Sequence, residues 1–254
     1  MKEIKCFLLD MDGTIHLSGE VLPGAAAAIE RMRAQGEVFF ITNNTSVSRK
    51  IYIEKLRNMG IACKERDIYT AGNATIDYLH KNYPGKKVFI LGTNAFVQEV
   101  IDCGIETTED SPDLVIIAYD TELTYEKLTK TCTFIQKGIP YLATHPDINC
   151  PTSTGFIPDV GSFLALIELS TGKKPFIICG KPATPMGDGI RGLGNWDARH
   201  IAMFGDRLST DIALANNNGF LGVLVLTGEA TRDDHERSNY KADIILKSLA
   251  DWDA

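Results

Sequence analysis

Phe7-Leu8-Leu9-Asp10-Met11-Asp12-Gly13-Thr14 carries an apolar run straight into two carboxylates and a glycine. Three successive apolar side chains suit a strand buried on both faces, the kind found inside a parallel sheet. Side chains two apart in an extended chain share a face, so Asp10 and Asp12 are expected to point together into the crevice beyond the strand. Two carboxylates that close cannot both ionise cheaply, so the surroundings must split their pKa values, leaving one an anion and the other an acid. Gly13 lets the chain turn sharply and approach a ligand without a Cβ in the way. The same residues also suit a plain turn at a strand end, and the octapeptide alone leaves both readings open.

Working outward, short apolar runs alternate with amphipathic stretches, the pattern of strands and helices around a mainly parallel sheet, so the fold class is α/β. Further buried strands are expected at Val38–Ile41, Ile177–Cys179, Ile201–Phe204, Val223–Leu226 and Ile244–Leu246. One helix carries Ala25, Ile29 and Met32 on a face and stops at Gly36. A second begins near Ser46, buries Tyr52, Leu56 and Met59, and stops at Gly60. A third has Thr184 as its cap, Pro185 in its first turn and Gly194 beyond its end. Residues 84–176 hold their own strands at Val88–Leu91, Val115–Ala118 and Tyr141–Ala143, bounded by turn-rich crossings at Tyr83-Pro84-Gly85 and Gly172–Pro175. They read as a second α/β unit inserted into a core of residues 1–83 and 177–254.

Three further strand ends carry groups that complement the acidic pair. Val38–Ile41 runs into Thr42, Asn43 and Asn44, whose hydroxyl, amides and backbone N–H groups suit phosphate oxygens. Ile177–Cys179 runs into Gly180 and Lys181, and Ile201–Phe204 into Gly205 and Asp206, with Asp211 five positions on. Strand ends of a parallel sheet share a rim, so these groups should converge in one pocket.

This ordered set resembles the haloacid dehalogenase (HAD) superfamily over the whole chain: DxDGT at Asp10–Thr14, a strand ending in Thr42, a lysine at Lys181, and Gly205-Asp206 with Asp211 beyond. The wording Thr42-Asn43-Asn44, Gly180-Lys181-Pro182 and Gly205–Asp211 is similar to the NagD and p-nitrophenylphosphatase branch, subclass IIA. The resemblance implies a Rossmann-like core with an α/β cap inserted between the second and third motifs, where residues 84–176 lie. It implies a phosphomonoester hydrolase of small phosphorylated metabolites, with Asp10 as nucleophile and Asp12 as general acid and base, a task that calls for a raised pKa. Mg²⁺ would be held by Asp10, the backbone carbonyl of Asp12 and Asp206. Gly13, Thr42, Asn43, Asn44 and Lys181 would hold the phosphoryl group, and Asp211 would orient Lys181 or the metal's waters. Relatives usually carry Thr-Asn-Pro-Asp where this chain has Thr144-His145-Pro146-Asp147, in a loop implied to face the leaving group. His145, Asp147 and Asn149 are therefore candidates for substrate specificity, although the loop equally suits a rigid hinge. Asp120 is either a cap acid facing the ligand or a surface loop acid. The branch allows a homodimer. A phosphotransferase or mutase would use the same aspartyl phosphate, and a non-catalytic phospho-ligand binder would gain nothing from a carboxylate aimed at phosphate.

Composition narrows the classes. A net charge of −7, with no dense run of Lys and Arg, argues against a nucleic-acid partner. The longest apolar runs are strand-sized, so no membrane span is expected. The six cysteines lack CxxC spacing and no signal-like segment opens the chain, which points to a reduced, cytoplasmic setting. Gly187, Gly189 and Gly192 match GxGxxG but fall inside the helix begun at Thr184, where no dinucleotide loop is expected. His16, His80, His200 and His235 show no ligand spacing and are taken as ordinary packing or surface residues.

Overall fold

Strands and helices alternate along the chain in this computed structural model, which describes residues 3–17, 19–152 and 155–253. In order they are β1 (Cys6–Asp10), β2 (His16–Leu17), β3 (Glu20–Val21), α1 (Ala25–Arg33), β4 (Glu37–Thr42), α2 (Arg49–Asn58), β5 (Ile68–Thr70) and α3 (Ala71–Asn82). There follow β6 (Val88–Leu91), α4 (Asn94–Asp102), β7 (Leu114–Ile117), α5 (Tyr125–Gln136), β8 (Tyr141–Ala143), β9 (Asn149–Thr152), β10 (Gly155–Pro158) and α6 (Val160–Thr171). The chain ends with α7 (Thr184–Gly194), β11 (Ile201–Gly205), α8 (Ala213–Asn218), β12 (Leu221–Val225), α9 (Arg232–Arg237) and β13 (Ile244–Leu246).

Two compact units divide these elements. The first takes the chain up to Thr42, then Arg49–Tyr69, then Lys181 onward; the second takes Asn43–Ser48 and Thr70–Gly180. The first is built on a six-stranded sheet in the order β13-β12-β11-β1-β4-β5, parallel from β13 through β4. β1 is central, and Cys6, Phe7, Leu8 and Leu9 are fully buried, as their unbroken apolar run requires. From β1 the chain builds outward through β4 and β5, then returns on β1's other side with β11, so the order reverses at β1. The carboxyl end of that strand is where α/β sheets open a crevice. Trp252 closes the core edge-on against Phe7 and Phe204, at 6.3 and 5.0 Å between ring centroids.

The second unit has a parallel sheet, β6-β7-β8, whose core joins Phe89, Val115 and Tyr141 to Phe134 of α5 and Phe163 and Ile167 of α6. Here the structure corrects two expectations. The run Ile177–Cys179 is not a strand of the first sheet: it lies along β8, with hydrogen bonds from Ala143 N to Ile177 O (3.1 Å) and Cys179 N to Ala143 O (3.0 Å). β8 had an open edge, and this segment satisfies it. The second unit is also wider than residues 84–176. It takes in α3, where Gly72 sits against Phe96, Asn73 Nδ2 donates to Glu99 (3.4 Å) and His80 contacts the Cys103 carbonyl (3.0 Å).

Smaller differences follow from local chemistry. The Pro- and Gly-rich stretch from Asn149 to Pro158 carries the antiparallel pair β9–β10. Helix α2 begins at Arg49 instead of near Ser46, because Asn44 Oδ1 accepts from Ser46 N and Oγ (both 2.8 Å) and holds the preceding residues in a turn. Helix α7 contains the whole GxGxxG match. There a Cβ at Gly187 would collide with Asn218, so that glycine serves helix packing. Among the described residues no helix is long and apolar enough to cross a membrane, and all six cysteines are free.

Candidate active site

Register brings the first group of candidates to one rim. Asp10 pairs with Ile41 and Leu9 with Phe204, so Asp10 and Thr42, which end β1 and β4, and Asp206, which follows β11, come to the ends of three adjacent parallel strands. Lys181, although preceded by a segment of the other unit, is delivered to the same rim just before α7. Asn217 Nδ2 donates to the Pro182 carbonyl there (2.9 Å). Lys181 Nζ donates to Asp10 Oδ1 (2.5 Å) and to Asp211 Oδ1 (2.7 Å). Its side chain is 4% exposed and that of Asp211 is fully buried. Asp211 also accepts the Arg207 N–H on Oδ2 (3.1 Å). Both of its oxygens are thus engaged.

Asp206 is differently engaged. Its Oδ2 accepts the Glu229 N–H (2.7 Å), while its buried Oδ1 has no hydrogen-bond partner among the described residues. Room for this carboxylate is made by Gly13 and Gly228, at either of which a Cβ would run into it. Gly13 stands at φ 80°, a left-handed conformation that an L side chain resists. Ligand atoms of Asp10, Asp206 and Asp211 lie within 4.8 Å of one another. Three carboxylates thus face one ammonium, with an oxygen-only donor set and one buried oxygen left over. That set fits a hard divalent cation.

The electrostatics carry the same imprint. Burial pushes the Asp10 carboxyl well above the usual range; Lys181 opposes this, and Asp211 and Asp206 add to it. Asp206 is pushed up to about 6 by burial and by Asp211, against the pull of the Glu229 N–H, Arg207 and Lys181. Burial acts to lower Lys181, but Asp10 and Asp211 outweigh it and hold the ammonium above its ordinary value.

Asp12 departs from expectation. Burial would raise its pKa, but His16, Lys55 and Arg207 outweigh that and the carboxyl is lowered. The acids that raise Asp10 most are Asp211 and Asp206. The reason is backbone. β1 ends at Asp10, and Thr14, Ile15 and His16 all donate N–H groups to the Met11 carbonyl (3.3, 2.9 and 3.2 Å). The extended alternation therefore stops before Asp12, whose carboxylate, 64% exposed, turns to His16 Nδ1 at 3.1 Å. His16, read as an ordinary histidine, belongs at this site. Its signal was a polar side chain between the apolar Ile15 and Leu17.

The remaining candidates lie in the second unit. Asn43 Nδ2 donates to both oxygens of Asp147 (3.2 and 3.1 Å), and Asn44 Oδ1 caps the Ser46 turn. His145 is fully buried, Nδ1 being 3.6 Å from Asp147 and Nε2 3.6 Å from Asp159. It is buried between these two acids, whereas Asn149 at the start of β9 is exposed. Asp120 is buried against Lys127 (2.8 Å) and accepts the Glu122 N–H (2.8 Å). It is a structural acid.

Comparison with known proteins places this geometry. A family model described as haloacid dehalogenase-like hydrolase matches residues 7–106, and a second HAD-like model matches residues 178–252. An acid sugar phosphatase of Staphylococcus aureus is 31% identical over 251 residues, 98% of this chain and 96% of that one. The crystal structure of a 4-nitrophenylphosphatase from Thermotoga maritima superposes with a TM-score of 0.93 at 41% identity, covering 98% and 95%. That of a glycerol phosphate phosphatase from Mycobacterium tuberculosis, in complex with magnesium, gives 0.91 at 29% identity, covering 98% of this chain and 76% of that one.

Proposed function

Because the chain belongs to the haloacid dehalogenase-like hydrolases and is a phosphatase, we propose that it hydrolyses small phosphomonoesters through an aspartyl phosphate on Asp10, with Mg²⁺ bound. The observation that carries this is the Lys181 ammonium shared between Asp10 and Asp211, beside the orphaned Oδ1 of Asp206. A carboxylate pinned by an ammonium points in one direction, which a nucleophile needs and a surface acid does not.

Asp10 attacks phosphorus and the bond to the leaving oxygen breaks. Asp12 gives that oxygen a proton, then takes one from the water that opens the aspartyl phosphate. In the free protein Asp12 is an anion. As the phosphate, a like charge, arrives and raises its pKa, the carboxylate takes from solvent the proton it then gives, and the proton later drawn from the hydrolytic water returns to solvent. Lys181 remains an ammonium throughout and balances charge on the transferring group, with the Thr42 hydroxyl and the open backbone at Gly13 as further contacts. Asp10, Asp206 and the Asp12 carbonyl would hold Mg²⁺, which when bound supplies neutralisation of the phosphate charge that otherwise repels a carboxylate. The names of the relatives, which include a sugar and a glycerol phosphate phosphatase, support a small polar ester as substrate. The test is Asp10→Asn: release of phosphate from p-nitrophenyl phosphate with Mg²⁺ should fall by at least about 10³-fold with the fold intact by circular dichroism. Near-normal turnover would remove Asp10 as nucleophile.

A further inference from the structure

The imidazole of His16 is fully buried, and its Nε2 has no hydrogen-bond partner among the described residues. Burying a ring nitrogen unpaired is unfavourable, and an apolar side chain would fill the space without that cost. The backbone puts the ring there deliberately. Gly13 N–H donates to the His16 carbonyl (2.8 Å), His16 N–H donates to the Met11 carbonyl (3.2 Å), and the hairpin β2–β3 closes behind it. The loop from Met11 to His16 is thereby drawn back on itself. The ring then lies against Asp12, Nδ1 3.1 Å from Oδ1, with the ring N–H not yet in line for a full hydrogen bond.

We propose that His16 is the positioning residue for Asp12, holding the carboxylate through Oδ1 so that Oδ2 is the oxygen presented to the leaving group. The proposal rests on the acid–base reading of Asp12 given above. Asp12 needs such a partner because it lies beyond the end of β1 and its side chain is largely exposed. A free carboxylate in that place samples several rotamers, and only a fraction of them put an oxygen where a proton is wanted. The contact shortens that search, and its bent geometry is the kind that straightens when substrate arrives. Thr14, with its hydroxyl buried and unpaired among the described residues, offers the carboxylate no alternative partner.

The leaving group separates positioning from plain packing. Phenyl phosphate and p-nitrophenyl phosphate are alike in shape, but only phenolate departure leans on a proton donor. His16→Phe keeps the ring's bulk and removes the donor. With it, kcat for phenyl phosphate should fall about tenfold or more and kcat for p-nitrophenyl phosphate less than about threefold, with both KM values little changed. His16→Asn, which keeps an N–H, should recover part of the phenyl phosphate rate. In an Asp12→Asn background, His16→Phe should cost nothing further on either ester. Equal losses on both esters, or losses that add in full to those of Asp12→Asn, overturn the proposal. If His16→Phe does not fold, His16→Leu is judged by the same ratio, and failure of both to fold makes the residue structural. Asp12→Asn alone keeps the two readings apart. If it shows no leaving-group bias, the acid role fails; if it does and His16→Phe does not, only the positioning role fails.

Discussion

Lys181 shows how one side chain holds a site together. It is buried between two carboxylates, and neither Asp10 nor Asp211 has another cation at hydrogen-bond distance among the described residues. Its folded-state pKa is raised, so its contribution to stability is fully present below the unfolded value and is lost only at strongly alkaline pH. Lys181→Met should therefore cost about 3–5 kcal/mol across the neutral range, measured by urea unfolding, because it strands buried acids. It should also lower kcat by about 10²-fold or more, since the charge it supplies is needed in the transition state. Asp120 makes the contrast. Its partners Lys127 and the Glu122 N–H are structural, so Asp120→Ala should lower stability by about 2–3 kcal/mol. Its kcat and KM toward p-nitrophenyl phosphate, measured well below the melting point, should stay within about twofold. A large change in KM would return Asp120 to the substrate.

At the scale of the element, the ends of strands matter more than their middles. β1, β4 and β11 are apolar rods whose parallel register decides only that their last residues arrive together. What happens next depends on short turns. After β11 the chain enters a π-helical turn over Leu208–Ile212 that carries Asp211 back beneath Gly205, where any Cβ would meet the Asp211 side chain. After β1 the turn at Gly13 makes room for the Asp206 carboxylate, and Thr227 Oγ1 donates to the Gly13 carbonyl. Gly13→Ala should impose about 1–2 kcal/mol of left-handed strain. More tellingly, it should push Asp206 aside and raise the Mg²⁺ concentration for half-maximal activity by about 10- to 100-fold. A Mg²⁺ titration of the variant checks this, and an unchanged half-point would mean that Asp206 is not a ligand.

Across the whole molecule, the acids of the first unit make its stability depend on pH and on cation. Asp206 rises from the ordinary 3.8 to about 6. The folded state thus binds this proton more tightly than the unfolded chain does, and metal-free stability falls as pH rises from about 4 to about 6, by about 3 kcal/mol for this group, then levels off. A divalent cation takes the ionised form, so it should offset that loss only where the loss exists. Mg²⁺ is expected to raise the Tm by about 6 °C near pH 7.5 and by clearly less near pH 5, as thermal melts with and without EDTA would show. An equal gain at both pH values would place the cation elsewhere.

The α/β class, most strands, and the gathering of Asp10, Lys181 and Asp206 could be read from residue order, because burial on two faces leaves an unbroken apolar run and a parallel sheet gathers the residues at its strand ends. Local patterns stop at the end of each element. Whether Ile177–Cys179 would join one sheet or another depended on which open edge it met, and an apolar run carries no label for its partner. That the acid near Asp10 would be Asp211 instead of Asp12, and that His16 would turn inward to meet Asp12, were set by how two turns close. Periodicity tells which side chains leave water; only the folded chain decides which of them meet there, since electrostatic coupling depends on distance in space and not on separation along the chain.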